Sequence, residues 1–274
     1  MSSDTVLELR DLTIGFKTGT SVVEAVRCIN LTLARGEICA LIGESGSGKS
    51  ATAQAVIGSS PDYATVSGTI LLNGAPIQSL SKRERRRLAG ESIAMVSQDA
   101  LRALNPCTTV GFQVAEVLMT RRNMKRQAAF DRAAELLDRV GIPDPGRRIS
   151  QYPHQFSGGM QQRVLIAMSL ALNPRLLVAD EPTTALDVTV KVQILELLQT
   201  LRDQFEMSVL IITHDMGVVA RIGERVAVMD HGEFVETGDV IDVFSDPQHA
   251  KTKQLIAAIP RIPTTVGGFT HANR

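Results

Sequence analysis

Hydrophobic and polar residues alternate along the first part of the chain in short runs. Residues 6–10 and 22–26 are alternating segments separated by a Gly/Thr turn, which predicts an antiparallel hairpin. Residues 29–33 alternate in the same way, and residues 68–74 are typical of a strand that ends in a tight turn. The pattern therefore predicts a β-rich N-terminal region.

Longer apolar runs appear further along and indicate core strands. Residues 37–42 form such a run before a glycine-rich segment, and residues 175–181 form another that ends in two acids. Continuous apolar runs are typical of parallel strands that are buried on both faces. Residues 93–97 and 208–213 are predicted strands of the same kind, and residues 226–229 and 233–236 predict a closing hairpin.

Apolar residues at helical spacing predict helices between these strands. A Gly/Pro-rich break at 141–146 ends the middle group, which has the pattern of a helical insertion in an α/β core. The predicted helices cover residues 49–58, 110–122, 125–140, 161–172 and 188–205.

Composition limits the possible partners and compartment. The 274 residues are 44% apolar, and Lys+Arg and Asp+Glu both total 29. The chain therefore has no excess of positive charge that would favour a nucleic-acid partner. Three cysteines without a CxxC pair argue against a disulfide framework or a zinc site. No run approaches the roughly 18 apolar residues of a membrane span, and no leader pattern opens the chain. We therefore expect a protein of a reducing cytosol that reaches a membrane only through another protein.

Residues 43–50 carry the strongest chemical signal, because they fit the phosphate-binding pattern GxxxxGK[ST] between a predicted strand and a predicted helix. Glycines let backbone N–H groups face phosphate oxygens at a helix N-terminus. Lys49 would add charge for the terminal phosphates, and Ser50 is placed to ligate Mg²⁺. The predicted nucleotide-binding residues of this loop are Gly43, Glu44, Ser45, Gly46, Ser47, Gly48, Lys49 and Ser50.

Two acids at the end of a predicted buried strand complement this loop. Asp180 would hold Mg²⁺, and Glu181 would orient and polarise the attacking water. The same pair could instead lie in a helix N-cap region before Pro182. Together with the glycine loop, the acids favour the nucleotide interpretation.

A Ser-Gly-Gly turn at Ser157, Gly158 and Gly159 is either an anion site or a simple helix N-cap by the serine. With this segment between the other two motifs, the chain resembles the ATP-binding subunit of an ABC transporter over roughly residues 5–260. The resemblance implies an α/β fold: a P-loop NTPase (RecA-like) core, an N-terminal antiparallel β subdomain and an inserted helical subdomain. It implies one nucleotide-binding domain over 1–260, with the core about 1–98 and 164–245 and the insertion about 99–163. The tail 261–274 is expected to be poorly ordered.

The resemblance also implies roles for residues that no pattern settles alone. The Ser157–Gly159 segment would contact the terminal phosphate bound to the opposite subunit, and residues 185–187 resemble the D-loop. Gln98 would sense Mg²⁺ and water, and His214 would hydrogen-bond the γ-phosphate, although a lone histidine is more often structural. Phe16 would stack on adenine or belong to the core. The implied catalytic residues are Lys49, Gln98, Glu181 and His214, and the implied metal ligands are Ser50, Gln98 and Asp180.

Within this superfamily, the sequences of these motifs most resemble those of importers of dipeptides, oligopeptides, nickel and opines. The resemblance therefore implies an ATPase that binds ATP and Mg²⁺ and powers solute import at the cytoplasmic face of a bacterial inner membrane. Its partners would be a second ABC ATPase subunit in a homo- or heterodimer, two membrane permeases and, indirectly, a periplasmic solute-binding protein. An exporter subunit and a soluble ABC ATPase without a transport role are the alternatives.

Overall fold

The computed structural model describes residues 4–19, 21–98, 100–184 and 186–259. The predicted tail 261–274 and Ala185 of the predicted D-loop lie outside these residues. The strands are β1 (Thr5–Thr18), β2 (Ser21–Ala34), β3 (Ile38–Ile42), β4 (Ala64–Leu72), β5 (Ala75–Pro76), β6 (Ile93–Val96), β7 (Leu176–Asp180), β8 (Ser208–Thr213), β9 (Arg225–Asp230) and β10 (Glu233–Asp239). The α-helices are α1 (Lys49–Val56), α2 (Lys82–Glu91), α3 (Ala100–Ala103), α4 (Val110–Arg122), α5 (Arg126–Arg139), α6 (Pro145–Arg148), α7 (Gly158–Leu170), α8 (Val188–Phe205), α9 (Met216–Ile222), α10 (Val240–Ser245) and α11 (Ala250–Ala257).

The N-terminal strands form an antiparallel sheet in the order β2-β1-β4-β5. The predicted hairpin is confirmed, with Val22 opposite Lys17 and Val26 opposite Ile14. Residues 29–33, which alternate in the same way, continue β2. Register shifts between β1 and β2 absorb the break in the alternation, as β-bulges do.

A second sheet has six strands in the order β10-β9-β3-β8-β7-β6. Strands β9, β3, β8, β7 and β6 run parallel, and β10 returns antiparallel to β9 as the predicted closing hairpin. Ile42 at the end of β3 lies opposite Thr213 at the end of β8, and Asp180 of β7 lies opposite Ile212. The carboxyl ends of three central strands are therefore level with one another.

The core lies on both faces of this parallel sheet, because successive side chains of a strand point to opposite faces. Ile38, Ala40 and Ile42 belong to a cluster with the helices, whereas Cys39 and Leu41 belong to a cluster with the antiparallel sheet and α1. Burial raises the pKa of the Cys39 thiol to about 12, so this cysteine is a small apolar core residue. The central strands are thus held rigidly from both sides.

Helices α3 to α6 follow β6 and precede α7 in the chain. Apolar residues of α4 and α5, including Leu118 and Leu136, share a core cluster with Val164 of α7. The predicted start of α7 at residue 161 is wrong by three residues, because the Ser157 hydroxyl accepts the Met160 N–H and caps the helix earlier. Among the described residues, no helix has both the length and the apolar content needed to cross a membrane.

Candidate functional site

The level ends of β3, β7 and β8 bring the predicted chemical residues to one edge of the parallel sheet. Gly43 follows β3, Glu181 follows β7 and His214 follows β8. Ligand sites of open α/β sheets lie at this edge, outside the carboxyl ends of the strands. Gln98 follows the neighbouring strand β6 and reaches the same place.

The glycine loop between β3 and α1 is packed so closely that two of its positions have no room for a side chain. A Cβ at Gly43 would lie 2.2 Å from the Met229 carbonyl oxygen, and a Cβ at Gly48 would lie 2.4 Å from that of Ala25. Gly48 also has φ 111° and precedes α1 without a side-chain cap. The N-terminus of α1 is therefore left to accept an anion, which is the arrangement of a phosphate-binding loop.

Lys49 lies inside this loop and is only 6% exposed. Its Nζ donates to the carbonyl oxygens of Gly43 and Glu44, both at 2.8 Å. Burial lowers the pKa of the Lys49 ammonium, and the carboxylates of Glu181 and Asp180 act in the opposite direction. The loop thus holds a buried cation at the place where phosphate oxygens would need one.

Three side chains hold the Glu181 carboxylate. Its Oε1 lies 2.9 Å from His214 Nδ1, and its Oε2 accepts from Thr184 Oγ1 at 2.7 Å and from Gln98 Nε2 at 3.3 Å. Burial raises the pKa of Glu181, but hydrogen bonds from His214 and Thr184 and the charges of His214 and Lys49 more than offset it and hold the pKa below its ordinary value. Glu181 is therefore an ionised, oriented carboxylate at neutral pH.

Backbone geometry fixes the position of Glu181 as well. The residue has φ 48°, in the left-handed region that few non-glycine residues adopt, and its N–H donates to the Ile212 carbonyl oxygen at 2.8 Å. Such conformations persist where the surrounding structure determines them, and they cluster at active sites. Next to it, burial raises the pKa of Asp180, while a hydrogen bond from Ser50 acts to lower it.

Lys49, Glu181 and His214 line one cleft of about 820 Å³. Phe16 lies at its wall, with its ring centroid 6.0 Å from that of Tyr63, and it also packs in part against the core. The volume is that of an ordinary small-molecule site. Further residues of the wall are Lys49, Gln98, Glu181, His214 and Leu255.

Comparison with known proteins shows which family carries this arrangement. The sequence matches the family described as "ABC transporter" over residues 26–184. It is 49% identical over 263 residues to the oligopeptide transport ATP-binding protein OppD of Bacillus subtilis, covering 95% of this chain and 73% of the relative. It is 47% identical over 259 residues to the dipeptide transport ATP-binding protein DppD of the same organism, covering 94% of this chain and 77% of the relative. The chain belongs to the ABC transporter family.

Solved structures agree with this assignment. A dimeric post-hydrolysis state of the ATP-binding cassette MJ0796 bound to ADP and Pi has a TM-score of 0.75 and 30% identity, covering 85% of this chain and 98% of that one. The structure of cbiO1 from Clostridium perfringens has a TM-score of 0.76 and 30% identity, covering 89% of this chain and 92% of that one. The α/β fold expected from the sequence is therefore confirmed, and the chain is an ABC ATPase.

Most of the predicted site residues of this ABC ATPase meet in the cleft. Phe16, Gly43 to Gly46, Gly48 to Ser50, Gln98, Glu181 and His214 line it, whereas Ser47 and Asp180 lie beside it. The Ser47 hydroxyl is buried and has no hydrogen-bond partner among the described residues, which fits a loop whose polar groups await a ligand.

Ser157, Gly158 and Gly159 are not part of this cleft. Ser157 and Gly158 are exposed, and Gly159 packs so closely on α8 that a Cβ there would lie 2.4 Å from Val190 Cγ1. The ABC ATPase therefore presents its Ser-Gly-Gly turn on another part of its surface, at the capped start of α7.

The predicted metal ligands supply only part of a coordination shell. The Ser50 hydroxyl lies beside the Asp180 carboxylate and favours its charged form, and the Gln98 amide donates to Glu181 instead. Among the described residues there is no group of three or more His, Cys, Asp or Glu side chains that could hold a metal ion. A hydroxyl and one carboxylate suit Mg²⁺ that is also held by substrate phosphates.

Several residues of the site were not found from the sequence. Thr184 holds Glu181, Leu255 lines the cleft, and Lys251 Nζ lies 2.5 Å from Glu44 Oε1. A threonine three residues after the acid is the signal that would have found Thr184. Lys251 and Leu255 are distant in sequence, and only the docking of α11 brings them to the loop.

Proposed function

We propose that this ABC ATPase hydrolyses ATP in the cleft and thereby powers peptide import across a bacterial inner membrane. The observation that carries the hydrolytic part is the Glu181 carboxylate, ionised and held by His214, Thr184 and Gln98 beside the phosphate loop. The peptide part is supported by relatives at 47–49% identity that are named for oligopeptide and dipeptide transport.

Each residue has a distinct part in this proposal. Loop N–H groups and Lys49 bind the phosphates, and Phe16 stacks on the adenine. Glu181 orients the attacking water and accepts its proton, while His214 holds the γ-phosphate side of the cleft. Positioning and charge neutralisation supply most of the rate enhancement in phosphoryl transfer.

Mg²⁺ would be held by Ser50 and Asp180, with Gln98 nearby. When bound it would neutralise charge on the β- and γ-phosphate oxygens. The position of the Ser50 hydroxyl beside the Asp180 carboxylate supports this assignment, because it places two oxygen ligands close together. ATP would therefore bind as its magnesium complex.

A second ABC ATPase chain, identical or related, would complete each site with its Ser157, Gly158 and Gly159. The exposed position of this turn outside its own cleft and the dimeric state of the similar cassette MJ0796 support the proposal. The nucleotide-binding domain would span 1–260, and the helical insertion at about 99–163 would transmit closure to two permeases. The chain would then lie at the cytoplasmic face of the membrane, with a periplasmic solute-binding protein as an indirect partner.

Hydrolysis by the purified full chain tests the catalytic assignment. Glu181→Gln keeps size and hydrogen bonding but removes the charge that polarises water, so we expect retained Mg-ATP binding and a turnover lower by about a hundredfold or more. Glu116→Gln, on the exposed side of α4, is the matched control and should keep wild-type turnover. Near-normal hydrolysis by Glu181→Gln would remove this residue from the base role.

Uptake by cells tests the transport assignment. A strain lacking this chain should lose uptake of labelled di- and oligopeptides and regain it with the wild-type chain but not with Glu181→Gln. Loss of nickel or opine uptake instead, with peptide uptake intact, would move the assignment to that substrate. Peptide retention in the deletion strain together with faster efflux in the wild type would indicate an exporter.

A further inference from the structure

Helix α11 lies against the phosphate loop through one of its faces. Lys251 Nζ is 2.5 Å from Glu44 Oε1, and Leu255 lines the same cleft as Lys49 and Phe16. Residues four apart in an α-helix lie on the same face, so Lys251 and Leu255 form one surface. This surface presents a cation to the loop and an apolar side chain to the cleft.

The helix is anchored by contacts that do not involve the cleft. The Glu236 carboxylate of β10 accepts the N–H groups of Gln248 at 2.8 Å and His249 at 3.0 Å, just before α11 begins. Thr252 is fully buried, and Ile256 packs against the core. The face with Lys251 and Leu255 is therefore fixed relative to the parallel sheet.

The ion pair between Lys251 and Glu44 changes the net charge at the phosphate loop. The side chain of Lys251 is 13% exposed and that of Glu44 is 57% exposed, so the lysine is the fixed partner and the glutamate follows it. A hydrogen bond and the charge of Lys251 hold the pKa of Glu44 below its ordinary value, so this carboxylate is ionised at neutral pH. An unpaired carboxylate in this loop would repel a polyphosphate, and Lys251 neutralises it.

The side chain of Leu255 is apolar, which limits the part of a nucleotide that it can contact favourably. An isobutyl side chain gains nothing from a phosphate but gains free energy by covering a base or ribose. Phe16 lines the same cleft, so large apolar side chains reach it from two separate elements, β1 and α11. A nucleoside between them would be covered by both.

We propose that α11 is part of the nucleotide site: Leu255 contacts the nucleoside, and Lys251 is a positioning residue that neutralises Glu44 and holds the phosphate loop. This proposal rests on the proposed function, because it requires that a nucleotide occupies the cleft.

Calorimetry of the full chain with ADP and with inorganic pyrophosphate separates the two roles. Leu255→Ala should weaken ADP binding by about threefold to tenfold, through lost apolar burial, and leave pyrophosphate binding unchanged. Ile241→Ala, a truncation of an exposed aliphatic residue of α10 outside the cleft, should leave both affinities unchanged. If Leu255→Ala does not fold, Leu255→Gln replaces it, and wild-type ADP affinity in either variant overturns the nucleoside contact.

Lys251→Gln should weaken ADP and pyrophosphate alike, by about threefold to tenfold, and more at low salt than at high salt. In a Glu44→Gln background the same change should have a smaller effect, since no acid remains to be neutralised. Lys253→Gln, an exposed lysine of the same helix, is the control and should bind as the wild type does. An equal loss in both backgrounds, or no loss in either, overturns the positioning role.

The wild-type titration keeps the two proposals apart. Failure of the wild-type chain to bind ADP would contradict the proposed function itself. Wild-type binding that is unchanged by substitutions at Leu255 and Lys251 would contradict only the role of α11.

Discussion

At the scale of single residues, the ionisation of Glu181 is set by its neighbours and not by its own burial. Burial alone would raise its pKa, whereas hydrogen bonds from His214 and Thr184 lower it. A carboxylate that is to accept a proton must first be ionised, and one that is to orient water must be held still. His214 and Thr184 supply both conditions.

Thr184 provides a test of this balance through pH. Thr184→Val removes the 2.7 Å hydrogen bond to Glu181 Oε2 and keeps the shape of the side chain. The carboxylate then loses a group that stabilises its charged form, so its pKa rises and protonation begins at a higher pH on acidification. We expect the acid limb of the kcat–pH profile to move to higher pH, and Thr184→Ser to restore the wild-type profile. An unmoved acid limb in Thr184→Val would show that Thr184 does not stabilise the ionised base.

Lys49 should act on binding before it acts on chemistry. Lys49→Ala deletes the buried ammonium inside the phosphate loop, and with it charge-assisted hydrogen bonds to the phosphates. We expect ATP affinity to fall by about tenfold to a hundredfold. Calorimetry with wild type and variant checks this, and equal affinities would contradict the assignment.

At the scale of elements, the loop between β3 and α1 depends on backbone geometry that only glycine adopts without strain. Gly46 and Gly48 both have positive φ, but a Cβ at Gly46 meets nothing within 4 Å, whereas one at Gly48 lies 2.4 Å from the Ala25 carbonyl oxygen. The two positions therefore separate the cost of left-handed φ from the cost of a backbone clash.

Alanine at each position measures these two costs. Gly46→Ala should lower the free energy of unfolding by about 1–2 kcal/mol, the cost of left-handed φ. Gly48→Ala should lower it further and also weaken ADP binding, because the loop must move away from β2. Urea unfolding without nucleotide and ADP titration check both effects. Equal losses of stability would contradict the close packing against Ala25.

Much of the site could be predicted from the sequence because each motif is local. The loop at 43–50, the acids after β7 and His214 after β8 each follow an apolar run, and parallel pairing then places them at one sheet edge. Thr184 acts through a hydrogen bond that no periodicity reveals. Strand β2 runs through its bulges as one unit, so the local alternation misplaced its boundaries.

At the scale of the whole molecule, the long-range contacts were the part that the sequence did not predict. Lys251 reaches Glu44 only because Glu236 of β10 fixes the start of α11. The Ser157 turn lies outside its own cleft, so the chain by itself brings together only part of the proposed site. The proposed site therefore also requires the Ser157 turn of a second chain.

Complementation between two inactive variants tests this requirement most directly. In a head-to-tail dimer, Lys49→Ala loses the phosphate loop, and Ser157→Arg loses the turn that serves the partner. A mixed dimer keeps one intact site, built from the loop of the Ser157→Arg chain and the turn of the Lys49→Ala chain. Lys49→Ala mixed with Glu181→Gln is the matched control, because both changes damage the loop side and no complete site can form.

The measurement is ATP hydrolysis by the two mixtures and by each variant alone. We expect each variant alone to be inactive. The mixture of Lys49→Ala with Ser157→Arg should recover roughly a quarter of wild-type activity, since half of the randomly formed dimers carry one complete site of two. The control mixture should stay inactive. Wild-type hydrolysis by Ser157→Arg alone, or no recovery in its mixture with Lys49→Ala, would contradict a site shared between two copies of this chain.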